Sequence, residues 1–240
     1  MPEPAIAQQN FLQPNPKTRL ALGWIVTILI PLAIVLTGVR LMMTPAFINI
    51  EYSMPGFPED RYGFTKQDRL YWSQIALDYL LNSEDISFLG DLRFEDGGPV
   101  YNERELKHMV DVQIALNTTM MAWYFSLGGL LALGIWAWRA EWLFEYRLGA
   151  ARGGWLTVIF VGSIILLVLL SFGVFFVAFH NVFFEPGTWL FYYSDTLIRL
   201  FPERFWRDIF IYVGVFSFVV GLILGLRAKP KALINLNSSR

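Results

Sequence analysis

Four stretches of the chain carry no charged side chain: residues 20–39, 114–138, 153–179 and 209–226. At a helical rise of about 1.5 Å per residue, each is long enough to cross a hydrocarbon core of about 30 Å. Backbone amides and carbonyls find no partner in lipid, so such runs are helices that satisfy their own hydrogen bonds. Pro31 falls inside the first run and is expected to kink it. The first run is too long for the apolar part of a signal peptide, ends at Arg40 and has no small-residue cleavage site after it.

Between the runs the pattern changes. Residues 47–64 hold Pro55, Gly56, Pro58 and Gly63 and read as loop. Thr65, with Asp68 three positions on, is a capping signal, and Leu70, Ile75, Leu77, Leu80 and Leu81 then give residues 66–81 a broad apolar face. Residues 90–99 are rich in turn formers. Asn102 with Glu105 is a second capping signal, and no helix breaker follows before Gly128. One long helix is therefore expected to start near Glu103 and to run into the second span. After the third run, Ser194 or Asp195 would cap a short helix before Pro202, inside a compact aromatic segment.

The predicted fold is an all-α membrane protein with four transmembrane helices and a small helical extracytoplasmic cap. Its segments are a tail at 1–19, spans at 20–42, 114–138, 153–179 and 209–226, outer regions at 43–113 and 180–208, an inner loop at 139–152 and a tail at 227–240. Composition agrees: 55% of the 240 residues are hydrophobic and only 16% charged, against about 25% charged in soluble domains. Charge sets the orientation. Lys17, Arg19, Arg139, Arg147, Arg152, Arg227, Lys229, Lys231 and Arg240 flank one set of span ends, whereas the 43–113 region is acidic. By the positive-inside rule both termini are cytoplasmic. Trp24, Trp136, Trp138, Trp142 and Trp155 at one side, and Trp189, Tyr192, Tyr193 and Trp206 at the other, are read as interfacial belts. Gly128, Gly129, Gly221 and Gly225 are read as helix-packing positions.

The net charge of −1 and the lack of basic-aromatic clusters argue against nucleic acid as a partner. With no cysteine, thiolate metal sites and thiol nucleophiles are excluded. No phosphate loop, nucleophile elbow or internal repeat is present.

The chemistry then rests on two histidines, His108 and His180, which the topology puts at the same outer face. Histidine exchanges a proton near neutral pH, so a pair could perform acid/base catalysis. His108 has Arg104, Glu105 and Asp111 on neighbouring helical positions. The pair could instead hold a metal with Glu105, Asp111 or Asp195, although a 72-residue separation of the two histidines matches no metal motif. The plainer reading is that interfacial histidines are polar residues at wet helix ends. Glu103, Arg204 and the acidic loop residues are read as solvated surface.

Two segments carry a resemblance. Tyr62-Gly63-Phe64-Thr65 followed by residues 102–112 (NERELKHMVDV) resembles the first outer region of a family of four-span membrane proteins. Residues 179–184 (FHNVFF), then Trp189 and residues 195–206 (DTLIRLFPERFW), resemble the second. The family includes the lipoprotein intramolecular transacylases, and the similarity runs over roughly residues 20–226. It implies that an acyl chain moves within a diacylglyceryl-cysteine lipoprotein, from glycerol to the cysteine α-amino group. It implies His108 and His180 as the catalytic pair, with Arg104, Glu105, Asp111 and Asp195 holding the substrate and either an imidazolium or Arg104 facing the oxyanion. It implies no cofactor and no metal, the bilayer and a diacylated lipoprotein as partners, and the bacterial plasma membrane as the location. Two other readings stay open: an accessory or structural subunit with a membrane-protein partner, and a metal-dependent lipid-ester hydrolase.

Overall fold

The computed structural model describes residues 13–228; the tail residues Lys229, Lys231 and Arg240 lie outside them. Nine helices follow one another within that range: α1 Pro16–Met42, α2 Pro45–Glu51, α3 Lys66–Leu81, α4 Ser87–Gly90, α5 Glu103–Arg139, α6 Leu143–Leu170, α7 Phe172–Phe183, α8 Thr196–Leu200 and α9 Glu203–Arg227. Among the described residues the only β-pairing is an isolated bridge between Arg93 and Pro99. Four helices, α1, α5, α6 and α9, are long and apolar enough to cross a membrane. The protein is an all-α, multi-pass membrane protein. At 37 residues α5 is about 55 Å long, well beyond a hydrocarbon core. Its polar first turns therefore stand clear of the apolar run that starts at Ile114.

The helices contribute to two compact units. The first holds residues 13–38, 121–164 and 214–228. Its core is Val26, Ile30, Ile34 and Ala150 with Leu130, Leu133, Tyr146, Phe216 and Val220 around them. Here α6 lies backbone-close to its neighbours. A Cβ on Gly154 would come 2.6 Å from the Gly221 carbonyl oxygen, so glycine is required at that crossing. The Thr27 hydroxyl donates to the carbonyls of Gly23 (2.9 Å) and Gly149 (3.2 Å), binding α1 to α6. Trp142, expected in an interfacial belt, is fully buried beside Trp136 and Tyr146.

The second unit holds residues 39–120 and 165–213. Tyr79, Leu89, Val100, Met109, Leu197 and Leu200 form its main core. Phe47, Ile48, Tyr52, Leu77 and Phe205 form a second. The helix α2 occupies part of the stretch expected as loop. Thr44 caps it by accepting from the Phe47 amide, and Pro45 sits at its first position, where a missing N–H costs nothing. In α3 the capping box of Thr65 and Asp68 is complete. Its buried face, however, includes Arg69 and Ser73 as well as Ala76 and Leu77. Arg69 is accommodated by donating to the Pro58 carbonyl (2.7 Å) and lying 4.9 Å from the Tyr52 and Phe57 rings.

Ion pairs tie the loops of this unit down. Arg199 grips Asp60 (3.0 Å), whose carboxylate also accepts from the Phe64 amide (2.7 Å). Burial alone would raise the Asp60 pKa, but the Arg199 guanidinium and the Phe64 and Tyr62 amides outweigh it and hold the carboxyl below its usual range. Arg204 pairs with Asp208 (3.2 Å) and donates to the Pro55 carbonyl (2.9 Å). Asp60 and Arg204 are thus structural rather than solvated surface.

The third apolar run is interrupted. The helix stops at Leu170 and restarts at Phe172, with Ser171 between them at φ −162° and ψ 87°. A serine followed two positions on by Gly173 is a known site of helix breaks. The short helix α7 that results carries His180 in its last turn.

Candidate active site at the two histidines

Both histidines belong to the second unit. His108 stands on the second turn of α5 and His180 near the end of α7. Their ring centroids are 6.3 Å apart and the planes are inclined by 24°. The Phe184 ring touches both, at 5.0 Å from His108 and 5.5 Å from His180. Phe191 lies 5.3 Å from His108, and Trp189 and Phe176 lie 4.7 and 4.0 Å from His180. His108 is only 8% exposed. Its Nδ1 has no hydrogen-bond partner among the described residues.

The hydrogen bonding of His180 fixes its tautomer. Its Nδ1 is 2.8 Å from the Phe176 carbonyl oxygen. A carbonyl only accepts, so Nδ1 carries the hydrogen and Nε2 keeps its lone pair in the neutral ring. That leaves one well-defined basic nitrogen beside a second imidazole.

The other sequence-predicted residues divide by what they touch. Glu105 is 1% exposed. One carboxylate oxygen accepts from the Asn102 amide (2.8 Å), completing a capping box in which the Glu105 amide donates to the Asn102 side chain (3.1 Å). The other accepts from the Leu197 amide (2.7 Å) in the first turn of α8. Asp195, at the cap position of α8, makes no capping bond with its own side chain. It receives Arg104 (3.1 Å) and the Tyr192 amide (2.9 Å) instead. The Arg104 guanidinium also lies 4.9 Å from the Tyr192 ring. Glu105, Arg104 and Asp195 therefore clamp residues 191–197 onto the start of α5, which sets Phe191 against His108. The Asp111 side chain makes no hydrogen bond or ion pair among the described residues.

Sequence reasoning did not single out Phe184, Phe191 and Trp189 as the walls around the imidazoles. One signal was available. Burial alternates along residues 189–192: Trp189 and Phe191 turn inward while Leu190 and Tyr192 turn outward. Among the described residues no group of three or more histidine, cysteine, aspartate or glutamate side chains could hold a metal ion.

Residues 24–206, which include both histidines, match the family model described as lipoprotein intramolecular transacylase Lit. A protein of Aquifex aeolicus (strain VF5), described as uncharacterized, is 31% identical over 206 residues, covering 86% of this chain and 92% of its own. Among solved structures, the membrane-integral lipoprotein intramolecular transacylase Lit from Bacillus cereus superposes with a TM-score of 0.72. It covers 93% of this chain and 99% of its own at 17% identity, a likeness of fold.

Proposed function

Because the chain belongs to the lipoprotein intramolecular transacylase family, we propose that it moves one acyl chain of a diacylglyceryl-cysteine lipoprotein from the glycerol to the α-amino group of the same cysteine. The observation that carries the reading is the pair of imidazoles 6.3 Å apart, one of them with its tautomer fixed by a backbone carbonyl.

In the proposed reaction the substrate amine starts uncharged, and Nε2 of His180 takes one of its protons as the C–N bond forms. The amine nitrogen attacks the ester carbonyl, forming the C–N bond. The resulting tetrahedral oxyanion faces an imidazolium. Its collapse breaks the C–O bond, and the departing glycerol oxygen receives a proton from the histidine pair. One proton leaves nitrogen and one arrives on oxygen, so no water, acyl donor or cofactor enters the balance. Acid/base assistance of this kind contributes roughly 10²–10⁴-fold. Holding amine and ester in one substrate, correctly aligned, supplies several kcal/mol more.

The charge pattern supports an orientation. Lys17, Arg19, Arg139, Arg147, Arg152 and Arg227 belong to the cytoplasmic side, and the histidine site to the opposite face. There it meets lipoproteins whose peptide part is already outside, with Asp195 and Arg104 at its rim.

The test is mass spectrometry of a synthetic diacylated lipopeptide incubated with the purified protein in vesicles. The expected product has unchanged total mass, with fragmentation showing one acyl group on nitrogen and a lyso-glyceryl group. His108→Ala and His180→Ala should each slow the reaction by about 10²–10⁴-fold while leaving the thermal unfolding profile near wild type. An unchanged peptide with the wild-type protein rejects the transacylase. Full-rate transfer by the double alanine variant rejects the histidine assignment.

A further inference from the structure

Residues 182–193 have two faces. Val182 (76% exposed), Phe183 (56%), Leu190 (57%), Tyr192 (68%) and Tyr193 (81%) point outward. Phe184, Trp189 and Phe191 point inward and wall the two imidazoles. Five large exposed apolar or aromatic side chains within twelve residues make a patch that a water-washed loop of a monomer does not ordinarily carry. Charge is scarce. Between Arg152 and Asp195 the only Asp, Glu, Lys or Arg is Glu185. The patch also continues an apolar flank that starts in the last turn of α6 with Leu169 and Leu170 and runs along α7 through Val174 and Val177, all exposed. Its first part belongs to α6, which is long and apolar enough to cross a membrane. The tyrosines at the far end of the patch suit the headgroup level, where a phenol is apolar on its body and wet at its tip.

We propose that residues 182–193 lie in the bilayer leaflet rather than in water, as a lipid-wetted wall through which the diacylglyceryl group of the substrate reaches the histidines sideways. The identity of the substrate rests on the transacylase reading; the placement of the wall in lipid does not. The wall is thin. Phe184 and Phe191, which alternate with the outward side chains of the patch, lie 5.0 and 5.3 Å from the His108 ring. An ester carbonyl sits at the top of its acyl chains, at the level where the patch passes from valine, phenylalanine and leucine to tyrosine. Sideways entry keeps those chains in lipid throughout, so the enzyme avoids the cost of about 0.8 kcal/mol per CH₂ that drawing them into water would carry.

The natural absence of cysteine makes the test direct. Val182→Cys, Leu190→Cys and Tyr193→Cys are made singly, spin-labelled and placed in phosphatidylcholine and phosphatidylglycerol vesicles. Collision rates with oxygen and with a nickel chelate are then compared with those of Leu170→Cys as lipid reference and Glu95→Cys, on an exposed turn, as water reference. The oxygen-to-nickel ratio at positions 182 and 190 should exceed that at 95 by on the order of tenfold, since a polar chelate is excluded from an apolar phase. Position 193 should fall between the references. Ratios like that of Glu95→Cys at both 182 and 190 overturn the proposal, whether or not the wild type transfers acyl chains. Lipid-like ratios in a protein that moves no acyl chain reject the transacylase and leave the wall in place. Three independent positions keep the test intact if one variant fails to fold.

Discussion

Replacing Glu105 by alanine should be far more damaging than any other single change to the polar residues around the histidines. The carboxylate accepts from the buried amides of Asn102 and Leu197 at 2.8 and 2.7 Å, and the side chain is 1% exposed. Hydrogen bonds to a charged group contribute roughly 1.5–3 kcal/mol each, and an amide left buried without a partner adds its own desolvation cost. Two such bonds give about 3–6 kcal/mol. For a chain of this length each kcal/mol moves the Tm by roughly 2–4 °C, so Glu105→Ala should unfold at least about 6 °C below wild type. Glu105→Gln keeps one acceptor oxygen but turns its NH₂ toward the other amide, and should lose about half as much. Arg104→Ala, which removes an ion pair whose arginine side chain is 40% exposed, should cost only about 0–1 kcal/mol. The assay is thermal unfolding in detergent followed by intrinsic fluorescence, with the lipopeptide reaction measured well below each Tm. Glu105→Ala should also react slowly, because Phe191 loses the clamp that sets it on His108. A Glu105→Ala protein within about 2 °C of wild type, or an order Arg104 > Glu105 in the size of the effects, would refute the clamp.

Asp60→Asn should destabilise by about 2–3 kcal/mol through loss of the buried Arg199 contact. Because the Asp60 pKa is lowered in the folded protein, its contribution is present above the unfolded carboxylate range and is lost as the pH falls through the folded value; the variant's acid unfolding should therefore be shallower than wild type's. Glu51 has the opposite sign. Burial first, then the negative Asp208, push its pKa up to about 7. Its neutral form is favoured at low pH, and that stability is lost as the pH rises from about 4.5 toward 7. Wild type should thus lose Tm between pH 5 and 8, and Glu51→Gln should flatten that slope. Gly154→Ala puts a Cβ 2.6 Å from the Gly221 carbonyl and should cost about 1–3 kcal/mol, whereas Gly162→Ala, whose Cβ meets only Phe218 at 3.6 Å, should unfold near the wild-type temperature.

Lipid made much of the fold legible. A charge-free run of twenty residues has one structural solution in a bilayer, so α1, α5, α6 and α9 could be read directly. The two capping boxes, Thr65 with Asp68 and Asn102 with Glu105, were equally visible because both partners lie within one turn. What escaped was of two kinds. Some local signals were outweighed: Thr44-Pro45 announces α2, but the prolines and glycines that follow read as loop. Arg69 and Ser73 hid the buried face of α3, and the unbroken apolarity around Ser171 hid the break before α7. Other features have no local signal at all. Glu105 and Leu197 are 92 positions apart, and Asp60 and Arg199 are 139 apart. Charge and periodicity cannot say that these meet.

The proposed chemistry asks the histidine pair for one proton at a time, and its geometry favours that. Two imidazolium charges 6.3 Å apart would repel by about 2.6 kcal/mol at an effective dielectric constant of 20, and by more among phenylalanine rings. The doubly charged pair is therefore disfavoured, and the working states hold one proton or none. A proton taken from the amine by one ring raises the pair to a single charge, and its delivery to the glycerol oxygen returns the pair to neutrality. Stacked rings with one fixed tautomer suit such a cycle better than they suit a hydrolase. Phe184 and Phe191 line the site with apolar rings that offer an attacking water no hydrogen bond, whereas the amine arrives attached to the ester it attacks. The prediction is quantitative in kind: transfer to the substrate's own amine should greatly outpace release of free fatty acid, and Phe184→Ala should narrow that ratio by admitting water. If the ratio of N-acylated product to free fatty acid is unchanged in a folded Phe184→Ala protein, the aromatic walls are packing alone.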